Sequence, residues 1–334
     1  MKICGPSLSN MRRIVDLNAG TAMVVADLHG DGDAYARYRD RFLDLRANGR
    51  ADTLILAGDL LHRTPPHPDD SLAMILDVLR LKRDLGDHLI YLMGNHEFPH
   101  RYAITLMRGD DLFTPRFEWA MGEQRAEIMA LLDGLPLYVR TPGGVAIAHA
   151  GAPPGLDEAG AAARLFALSH EEILAETAVS LPPDFRPQLR KLLGRQAGRS
   201  YDRLVHDYFA VTSPDDPRYD DYLIGASAVA AHPDADLLWS ALFTKNELQY
   251  GRAYPAHLRA FLQALSDDYP QPQRVLVSGH IDVQGGYKLV NKQHLRLASA
   301  KHAHPREAGL YLLFDVTQPV EKAEDLLPGL ASVF

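Results

Sequence analysis

Short apolar segments of strand length alternate with amphipathic segments of helical length through the first third of this sequence. The run TAMVVAD begins at Thr21 and is followed by a polar turn and by the helical segment AYARYRDRFLDLRANG. One face of that segment carries Tyr35, Tyr38, Phe42 and Leu45. The runs TLILAGD and SLAMILDVLRLKRDLG repeat the unit, and HLIYLMGNHE begins a third copy. This alternation predicts an α/β fold in which the loops after the strands carry the functional side chains.

The rest of the chain has a different pattern of predicted strands and helices. The segments LPLYVR and GVAIAHAG flank the turn 141–144, and RVLVSGH, YKLVN, LRLASA and GLYLLFDV follow later, which predicts a strand-rich, antiparallel region. Between these groups, residues 152–235 are mostly helical in pattern. We interpret 152–235 as an insertion in one domain that spans 1–334, either a cap that narrows access to a site or a peripheral decoration.

Composition and charge exclude several classes of partner. A hydrophobic content of 46% with 23% charged residues is ordinary for a folded protein. The 43 acidic residues outnumber the 35 Lys and Arg, which argues against long nucleic acid or anionic membrane as a partner. The single cysteine, Cys4, allows neither an intrachain disulfide nor a C-x-x-C motif. With no apolar leader and no run of about 18 apolar residues, we expect a cytoplasmic protein.

Polar side chains with metal-binding chemistry follow five of the predicted strands. Because neighbouring strands bring their ends to one edge of a sheet, we expect these residues to converge, although they are far apart in sequence. A carboxylate can bridge two divalent cations, and carboxylate, amide oxygen and imidazole suit manganese, iron or zinc. The candidate side chains are Asp27, His29, Asp59, Asn95, His96, His149 and His280.

The motifs DLHGD, GDLLHR, GNHE, HAG and SGH, in this order, resemble those of the calcineurin-like metallophosphoesterases. The segments DLLWS, GHIDVQGGY and LASAKHAHPREAGLYLLFDV are similar to the phosphoprotein phosphatase (PPP) branch of that family. The resemblance implies two mixed β-sheets packed as a sandwich and flanked by helices. It also implies two divalent metal ions, manganese before iron or zinc, held by Asp27, His29, Asp59, Asn95, His149 and His280, with Asp59 as the bridge.

The same resemblance implies a mechanism. A water or hydroxide between the two metals would be the nucleophile, Asn95 and Arg63 would bind the phosphate, and His96 would protonate the leaving group. The chain departs from the PPP pattern at His62, which stands where an aspartate orients the histidine of GNHE. His62 is expected to hydrogen-bond His96 in its place.

Three further departures concern the substrate and the last motif. Ala241 and Leu248 stand where the PPP pattern has Asp and Arg, so Lys245 and Arg252 are expected to substitute in binding the substrate. Asp282 stands where other branches have a second histidine, and we expect it not to bind metal. His100, His170, His206, His232 and His294 are expected to be structural. His302 and His304 fit either a loop over the metals or a solvated turn.

The function predicted from these residues is metal-dependent hydrolysis of phosphomonoesters, by a bacterial-type PPP-like phosphatase acting on phosphoserine, phosphothreonine or phosphotyrosine. Small phosphate esters are the other expected substrates. One alternative is the hydrolysis of a diphosphate or a dinucleotide polyphosphate, and a second is a catalytically weak binding scaffold. A phosphodiesterase or nuclease is disfavoured by the net charge and by Asp282.

Overall fold

The structure is a computed structural model that describes residues 13–156 and 158–334, so Cys4 lies outside the described residues. The strands of the described part are β1 (Ile14–Asp16), β2 (Thr21–Val25), β3 (Thr53–Leu56), β4 (Leu89–Tyr91), β5 (Met107–Arg108), β6 (Asp111–Leu112), β7 (Tyr138–Arg140), β8 (Val145–Ala148), β9 (Val275–Ser278), β10 (Val283–Gln284), β11 (Tyr287–Asn291), β12 (His294–Leu297), β13 (Ala303–His304), β14 (Leu310–Asp315) and β15 (Leu330–Ser332).

The α-helices of the described part are α1 (Gly32–Ala47), α2 (Ser71–Leu85), α3 (Phe98–Arg101), α4 (Phe113–Met121), α5 (Arg125–Asp133), α6 (Ala161–Ala167), α7 (His170–Ser180), α8 (Arg186–Gln196), α9 (Tyr201–Phe209), α10 (Asp221–Ala231), α11 (Pro233–Phe243), α12 (Asn246–Tyr250) and α13 (Tyr254–Ser266). Short 3-10 helices lie at Gly86–His88, Gly122–Gln124, Pro183–Phe185, Pro217–Tyr219, Gly251–Ala253, Arg306–Ala308 and Ala323–Gly329.

Two mixed sheets form the centre of the fold. One has the strand order β15-β14-β2-β3-β4, and the other has the order β1-β7-β8-β9-β12-β11. The hairpin predicted around the turn 141–144 is confirmed by the antiparallel pairing of β7 with β8. The prediction of an antiparallel second half is wrong for β9, which pairs parallel with both β8 and β12. The long helical connection between β8 and β9 permits this, because parallel neighbours need a crossover.

The alternation of side chains along each strand divides the core into layers. Ala22 and Val24 of β2 lie in an apolar cluster with Val277 and Leu295 of the other sheet, so this cluster fills the space between the sheets. Met23, the residue between Ala22 and Val24, belongs to a separate cluster that includes residues of α1 and α2. Successive residues of a strand point to opposite faces, so the sheets pack face to face with helices outside, as expected from the resemblance.

Helix α1 forms as the periodicity predicts. Its N-cap residue, Asp31, accepts a hydrogen bond from the backbone N–H of Ala34, and the helix ends at Ala47, one residue before Asn48. The predicted apolar face, Tyr35, Tyr38, Phe42 and Leu45, is buried. The helix therefore covers the outer face of the β2 sheet and fixes the loop that precedes it.

The stretch interpreted as an insertion carries α6 to α10 and the beginning of α11 in its described part. It has a small apolar core of its own that includes Tyr201, Val205 and Leu223. Its helices pack against the α3–α4 region: a Cβ at Gly225 would lie 2.1 Å from the carbonyl oxygen of Tyr102. The assignment of 152–235 as an insertion within a single domain stays a prediction.

Among the described residues, every helix is too short or too polar to cross a lipid bilayer.

Candidate metal centre

The loops after the three parallel strands β2, β3 and β4 lie at one edge of their sheet. They carry the first four candidate side chains, because Asp27 and His29 follow β2, Asp59 follows β3 and Asn95 follows β4. The backbone N–H of His29 donates to the carbonyl oxygen of Asp59 at 2.8 Å, which joins the first two loops. Parallel pairing thus places these residues side by side.

His96 also follows β4, and the second sheet supplies the last two candidates. His149 follows β8 and His280 follows β9, and these two strands are parallel neighbours. The backbone N–H of His280 donates to both carboxylate oxygens of Asp27, at 2.9 and 3.0 Å. This contact joins the two sheets at the edge where all the candidate side chains lie.

Two groups of possible ligand atoms meet at this edge, and they share one carboxylate. The atoms of each group lie within 4.8 Å of one another. The first group consists of Asp27, His29, Asp59 and His302, and the second consists of Asp59, His149 and His280. The structure therefore gives Asp59 the central position expected of a bridging carboxylate.

When the imidazole of His149 is neutral, hydrogen-bond acceptors face one another at this centre. Nδ1 of His149 lies 3.0 Å from the carbonyl oxygen of Ala57, which can only accept, so Nδ1 carries a proton. In the neutral ring, the form that binds a cation, Nε2 is a lone pair. That lone pair lies 3.4 Å from Oδ1 of Asp59 and 2.9 Å from Oδ1 of Asn95. Acceptors that face one another in a buried site are what a bound cation would satisfy.

His29 gives a second indication of the same kind. Its Nε2 is buried and has no hydrogen-bond partner among the described residues, yet it lies 3.3 Å from Oδ2 of Asp59. A buried polar atom without a partner costs about 1 to 3 kcal/mol. A divalent ion between His29 and Asp59 would remove this cost, so the donor set fits the metal ions that the sequence resemblance implies.

Burial and charge shift the pKa values of the two central carboxyls in opposite directions. Burial raises the pKa of Asp27, against the opposing charges of His302 and His149. Burial also acts to raise the pKa of Asp59, but the imidazoles of His149 and His96 outweigh it and hold that pKa well below its ordinary value. Asp59 is therefore the carboxylate that stays ionised most readily.

The backbone at the centre is strained. Eight non-glycine residues in the described ranges have positive φ, and five of them are candidate site residues, namely Asp27, His29, Asp59, His62 and His280. Left-handed backbone is unfavourable for residues with a side chain and persists where the surroundings fix it. Here it turns successive polar side chains of one loop towards a common point.

Glu97, the last residue of the GNHE motif, braces two of the loops, a role the sequence analysis missed. Its buried carboxylate accepts hydrogen bonds from the backbone N–H groups of Asp59 and Gly94 at 2.9 Å and of Leu60 at 3.0 Å. The signal available in the sequence was an acidic residue at the end of the GNHE motif, two residues after the candidate ligand Asn95. Glu97 thus fixes the loop of Asp59 against the loop of Asn95.

His302 is a further residue at the centre, and the sequence left open whether its loop lies over the metals or is a solvated turn. Its Nε2 lies 3.9 Å from Oδ1 of Asp27, and Oδ1 of Asp282 accepts a hydrogen bond from its Nδ1 at 2.5 Å. Asp282 belongs to neither ligand group of the described residues, and it is hydrogen-bonded to a residue that does belong to one. The signal in the sequence was an acidic residue where other branches have histidine.

The structure places His62 beside His96, as expected, with 3.0 Å between their Nδ1 atoms. Burial lowers the pKa of His96 to about 3, with further lowering by His29 and His149, against the opposing charge of Asp59. That shift favours a neutral ring. The role of His96 as leaving-group acid stays a prediction that its surroundings do not support.

Three adjoining cavities of about 310, 220 and 590 Å³ open at the centre, and Lys301 and Thr64 line all of them. Arg63 lines the second cavity together with His29, and its Nη2 donates to Oδ2 of Asp31 at 3.0 Å. Arg108 lines the first and the third. These cations surround the space in front of the candidate ligands.

The other predicted substrate-binding residues lie elsewhere. Lys245 and Arg252 are exposed and line none of the three cavities. Of the described residues of 152–235, none lines these cavities either. Substrate binding by Lys245 and Arg252 and a cap formed by 152–235 therefore stay predictions that the cavity linings do not support.

Comparisons with known proteins agree with the motif pattern. The family model described as "Calcineurin-like phosphoesterase" matches residues 20–202. The chain is 29% identical over 138 residues to the symmetrical bis(5'-nucleosyl)-tetraphosphatase of Nitrosococcus oceani, covering 40% of this chain and 44% of that protein. It is 36% identical over 118 residues to the enzyme of the same name from Thioalkalivibrio sulfidiphilus, covering 34% and 39%. The chain thus spans less than half the length of the curated relatives it matches.

Among solved structures, a cold-active protein-tyrosine phosphatase of Shewanella sp. is similar with a TM-score of 0.49. It shares 15% sequence identity, and the match covers 95% of this chain and 81% of that chain.

Proposed function

Because this chain belongs to the calcineurin-like phosphoesterase family, we propose that it is a metal-dependent hydrolase of phosphoric esters. The observation that carries the proposal is the pair of donor groups that share Asp59. In this proposal Asp27, His29 and His302 hold one divalent cation and Asp59 contacts both. Asn95, His149 and His280 hold the second. Manganese is the expected metal, and iron or zinc suits the same donors.

Divalent cations bound there would make a water molecule acidic enough to act as nucleophile near pH 7 and would draw charge from the phosphoryl oxygens. The chain's own residues then have to bind and orient the phosphate. Arg63 uses one terminal nitrogen for Asp31, and its remaining N–H groups can bind phosphate oxygens in the cavity beside His29.

The residues around the ligands hold them in place. The carbonyl of Ala57 fixes His149 with its Nε2 lone pair towards Asp59, and Asp282 orients His302 in the same way. Glu97 ties together the loops of Asp59 and Asn95. Partners of this kind commonly change metal affinity or activity about 10- to 100-fold when they are removed.

For the substrate we propose two classes. A dinucleoside polyphosphate is favoured by the names of the curated relatives and by the three cavities that Lys301, Arg108 and Arg63 line, since several cations suit several phosphates. A phosphorylated protein is favoured by the PPP-like segments DLLWS and GHIDVQGGY. Both would use the same metal centre.

One panel of substrates separates these candidates. The purified full-length chain is loaded with manganese, iron or zinc, analysed for metal, and assayed with diadenosine tetraphosphate, a phosphoserine peptide, p-nitrophenyl phosphate and bis-p-nitrophenyl phosphate. Asp59→Asn is the matched inactive control, because a contaminating phosphatase would persist in it.

We expect bound metal and turnover of diadenosine tetraphosphate or the phosphopeptide, with the preferred one identifying the substrate class. Turnover of the diester alone would reject both classes. Two bound metals without turnover of any compound would favour the binding scaffold, and a chain that binds no metal would overturn the proposal.

A further inference from the structure

Three histidines and a glutamate form a continuous row behind the main cavity. Nδ1 of His96 lies 3.0 Å from Nδ1 of His62, and Nε2 of His62 lies 3.0 Å from Nε2 of His100. Nδ1 of His100 faces Oε2 of Glu118 at 3.7 Å, within ion-pair range. His96 and His62 both line the cavity, and His62, His100 and Glu118 are buried. We call these four residues the His96–Glu118 row.

Helix α4 encloses the row and supplies its last member. The ring of Phe113 stacks on His96 with 5.4 Å between centroids and an 8° angle between the rings. The ring of Phe117 contacts those of His62 and His100 with centroids 5.7 and 5.1 Å away. Rings of this kind keep water away, so the nitrogens of the row depend on one another for hydrogen bonds.

The carboxylate at the inner end of the row is ionised. Burial acts to raise the pKa of Glu118, but the facing imidazole of His100 and the charge of Arg125 outweigh it, and the pKa lies below its ordinary value. Oε1 of Glu118 accepts a hydrogen bond from Arg125. Oε2 of Glu118 and Nδ1 of His100 are buried and have no hydrogen-bond partner elsewhere in the described ranges, so each is the partner available to the other.

The ionised carboxylate determines where the protons of the row lie. It can only accept, so His100 carries a proton on Nδ1. Arg125 already balances the single carboxylate, and a second buried cation at His100 would be uncompensated, so Nε2 of His100 is a lone pair. His62 must then donate from Nε2.

The proton positions at the outer end of the row follow from those at the inner end. Burial and the imidazoles of His100 and His96 lower the pKa of His62 far below its ordinary value, so His62 is neutral and holds one proton. With that proton on Nε2, Nδ1 of His62 is a lone pair. His96 therefore donates from its Nδ1 to His62, and its Nε2 is left for the cavity.

We propose that Glu118 is a positioning residue for His96 and acts through His100 and His62. By fixing which nitrogen of each ring carries the proton, it fixes the ring orientation and the free nitrogen of His96. Within the described residues no carboxylate is hydrogen-bonded to the ring of His96, and the carboxylate of the row lies at the far end of two intervening rings. The kinetic consequence of this arrangement rests on the proposed function, whereas the proton positions are a property of the row alone.

The proton positions can be measured without any activity. Long-range ¹H–¹⁵N correlation spectra of the full chain, labelled with [¹⁵N]histidine and loaded with diamagnetic zinc, distinguish protonated from unprotonated ring nitrogens. We expect His62 to be protonated on Nε2 and His100 on Nδ1 only. His62 protonated on Nδ1, or His100 protonated on both nitrogens, would overturn the proposal even if no variant folds.

The same spectra of Glu118→Gln test the cause. The amide group can donate to Nδ1 of His100, so we expect the row to reverse and the His62 proton to move to Nδ1. Glu247→Gln is the matched control, because it also removes a carboxylate from a buried arginine, Arg296, outside the row. An unchanged His62 in Glu118→Gln, or an equal change in Glu247→Gln, would contradict the proposal.

Kinetics test whether the row matters to His96. In Glu118→Gln we expect kcat to fall about 10- to 100-fold with KM within about twofold, as for other orienting partners. In His62→Asp a carboxylate stands beside His96, so adding Glu118→Gln should change kcat less than about twofold.

An equal loss in both backgrounds, with normal thermal unfolding, would show that Glu118 does not act through His62. If the wild-type chain hydrolyses no phosphate ester, the proposed function fails, and the spectra still decide the inference about Glu118.

Discussion

Asp282 accepts a hydrogen bond from Nδ1 of His302 at 2.5 Å. The other ring nitrogen of His302 lies 3.9 Å from the carboxylate of Asp27 and is a lone pair when the ring is neutral. A histidine held in this way by a carboxylate is the usual arrangement for an imidazole that binds a metal. We propose that Asp282 supplies no ligand itself and orients His302, a candidate ligand from a loop 20 residues later.

We expect His302→Ala to lower the metal content of the protein and Asp282→Asn to weaken metal affinity about 10- to 100-fold. Titration with manganese, followed by metal analysis, measures both. His304→Ala is the control, because His304 contacts the same carboxylate at 3.2 Å but belongs to neither ligand group. Equal losses in His302→Ala and His304→Ala would argue against ligation by His302.

Gly279 has no side chain and so leaves room for the carboxylate of Asp27, a candidate metal ligand. A Cβ at this position would lie 2.0 Å from Oδ2 of Asp27, a distance that forces the carboxylate to move. We expect Gly279→Ala to cost about 1 to 3 kcal/mol in the free energy of unfolding and to reduce metal affinity. Gly134→Ala is the control, since its nearest neighbours would be 3.6 Å away. Normal metal affinity in Gly279→Ala would show that Asp27 can shift without consequence.

Glu97 should stabilise both the fold and the metal centre. In Glu97→Gln an amide NH₂ replaces one of two oxygens that accept backbone N–H groups, so one or two buried donors lose their acceptor. We expect a loss of about 1 to 3 kcal/mol for each. Denaturant unfolding of the metal-free protein measures this loss. An unchanged free energy of unfolding would mean that the hydrogen bonds to Glu97 do not stabilise the loops of Asp59 and Asn95.

Lys301 and Lys245 offer competing assignments for phosphate binding. Lys301 lines all three cavities at the centre and Lys245 lines none of them. We expect Lys301→Ala to raise KM for a phosphate ester at least about fivefold, as for the loss of a charge-assisted hydrogen bond worth about 1 kcal/mol or more. A larger effect of Lys245→Ala would support the assignment made from the sequence instead.

Lowering the pH should remove the contribution that the ion pair between Glu247 and Arg296 makes to the free energy of unfolding. Both terminal nitrogens of the buried Arg296 donate to the Glu247 carboxylate at 2.6 Å. Burial opposes ionisation of Glu247, but these bonds outweigh it and lower its pKa from 4.5 to about 2. Because the folded pKa is the lower one, the contribution is complete above pH 4.5 and is lost as the pH falls through about 2.

We therefore expect Glu247→Gln to cost roughly 3 kcal/mol at pH 7 and to flatten the acid dependence of unfolding between these pH values. Glu127→Gln, which removes the exposed partner of Arg83, should cost less than about 1 kcal/mol. Parallel acid profiles of wild type and Glu247→Gln would contradict the assignment.

Local patterns in the sequence predicted the strand and helix units of the first third and the ligand types that follow each strand. The face of α1 that carries Tyr35, Tyr38 and Phe42 is buried as the periodicity predicts. Asp27, Asp59 and His149 were recognisable because each follows an apolar strand within a short motif. These features depend on residues close together in the chain, so the sequence could indicate them.

The sequence did not indicate features that depend on distant segments meeting. The parallel pairing of β9 was missed, since it follows from a crossover of more than a hundred residues rather than from any local signal. For the same reason His302 was left between a loop over the metals and a solvated turn, His100 was expected to be structural, and Glu118 was not singled out. Their partners Asp27, His62 and Arg125 lie on other loops or helices.

The sequence by itself therefore determined the α/β class, the five motifs and the chemistry of the donors, because periodicity and motif spacing are local properties. Only the tertiary structure decided which donors share Asp59, how His302 and Asp282 complete the centre, and where the carboxylate behind His96 lies. Hydrogen bonds and coordination act over about 3 Å. Which side chains come that close depends on how the two sheets pack against each other. Local sequence patterns do not indicate that packing.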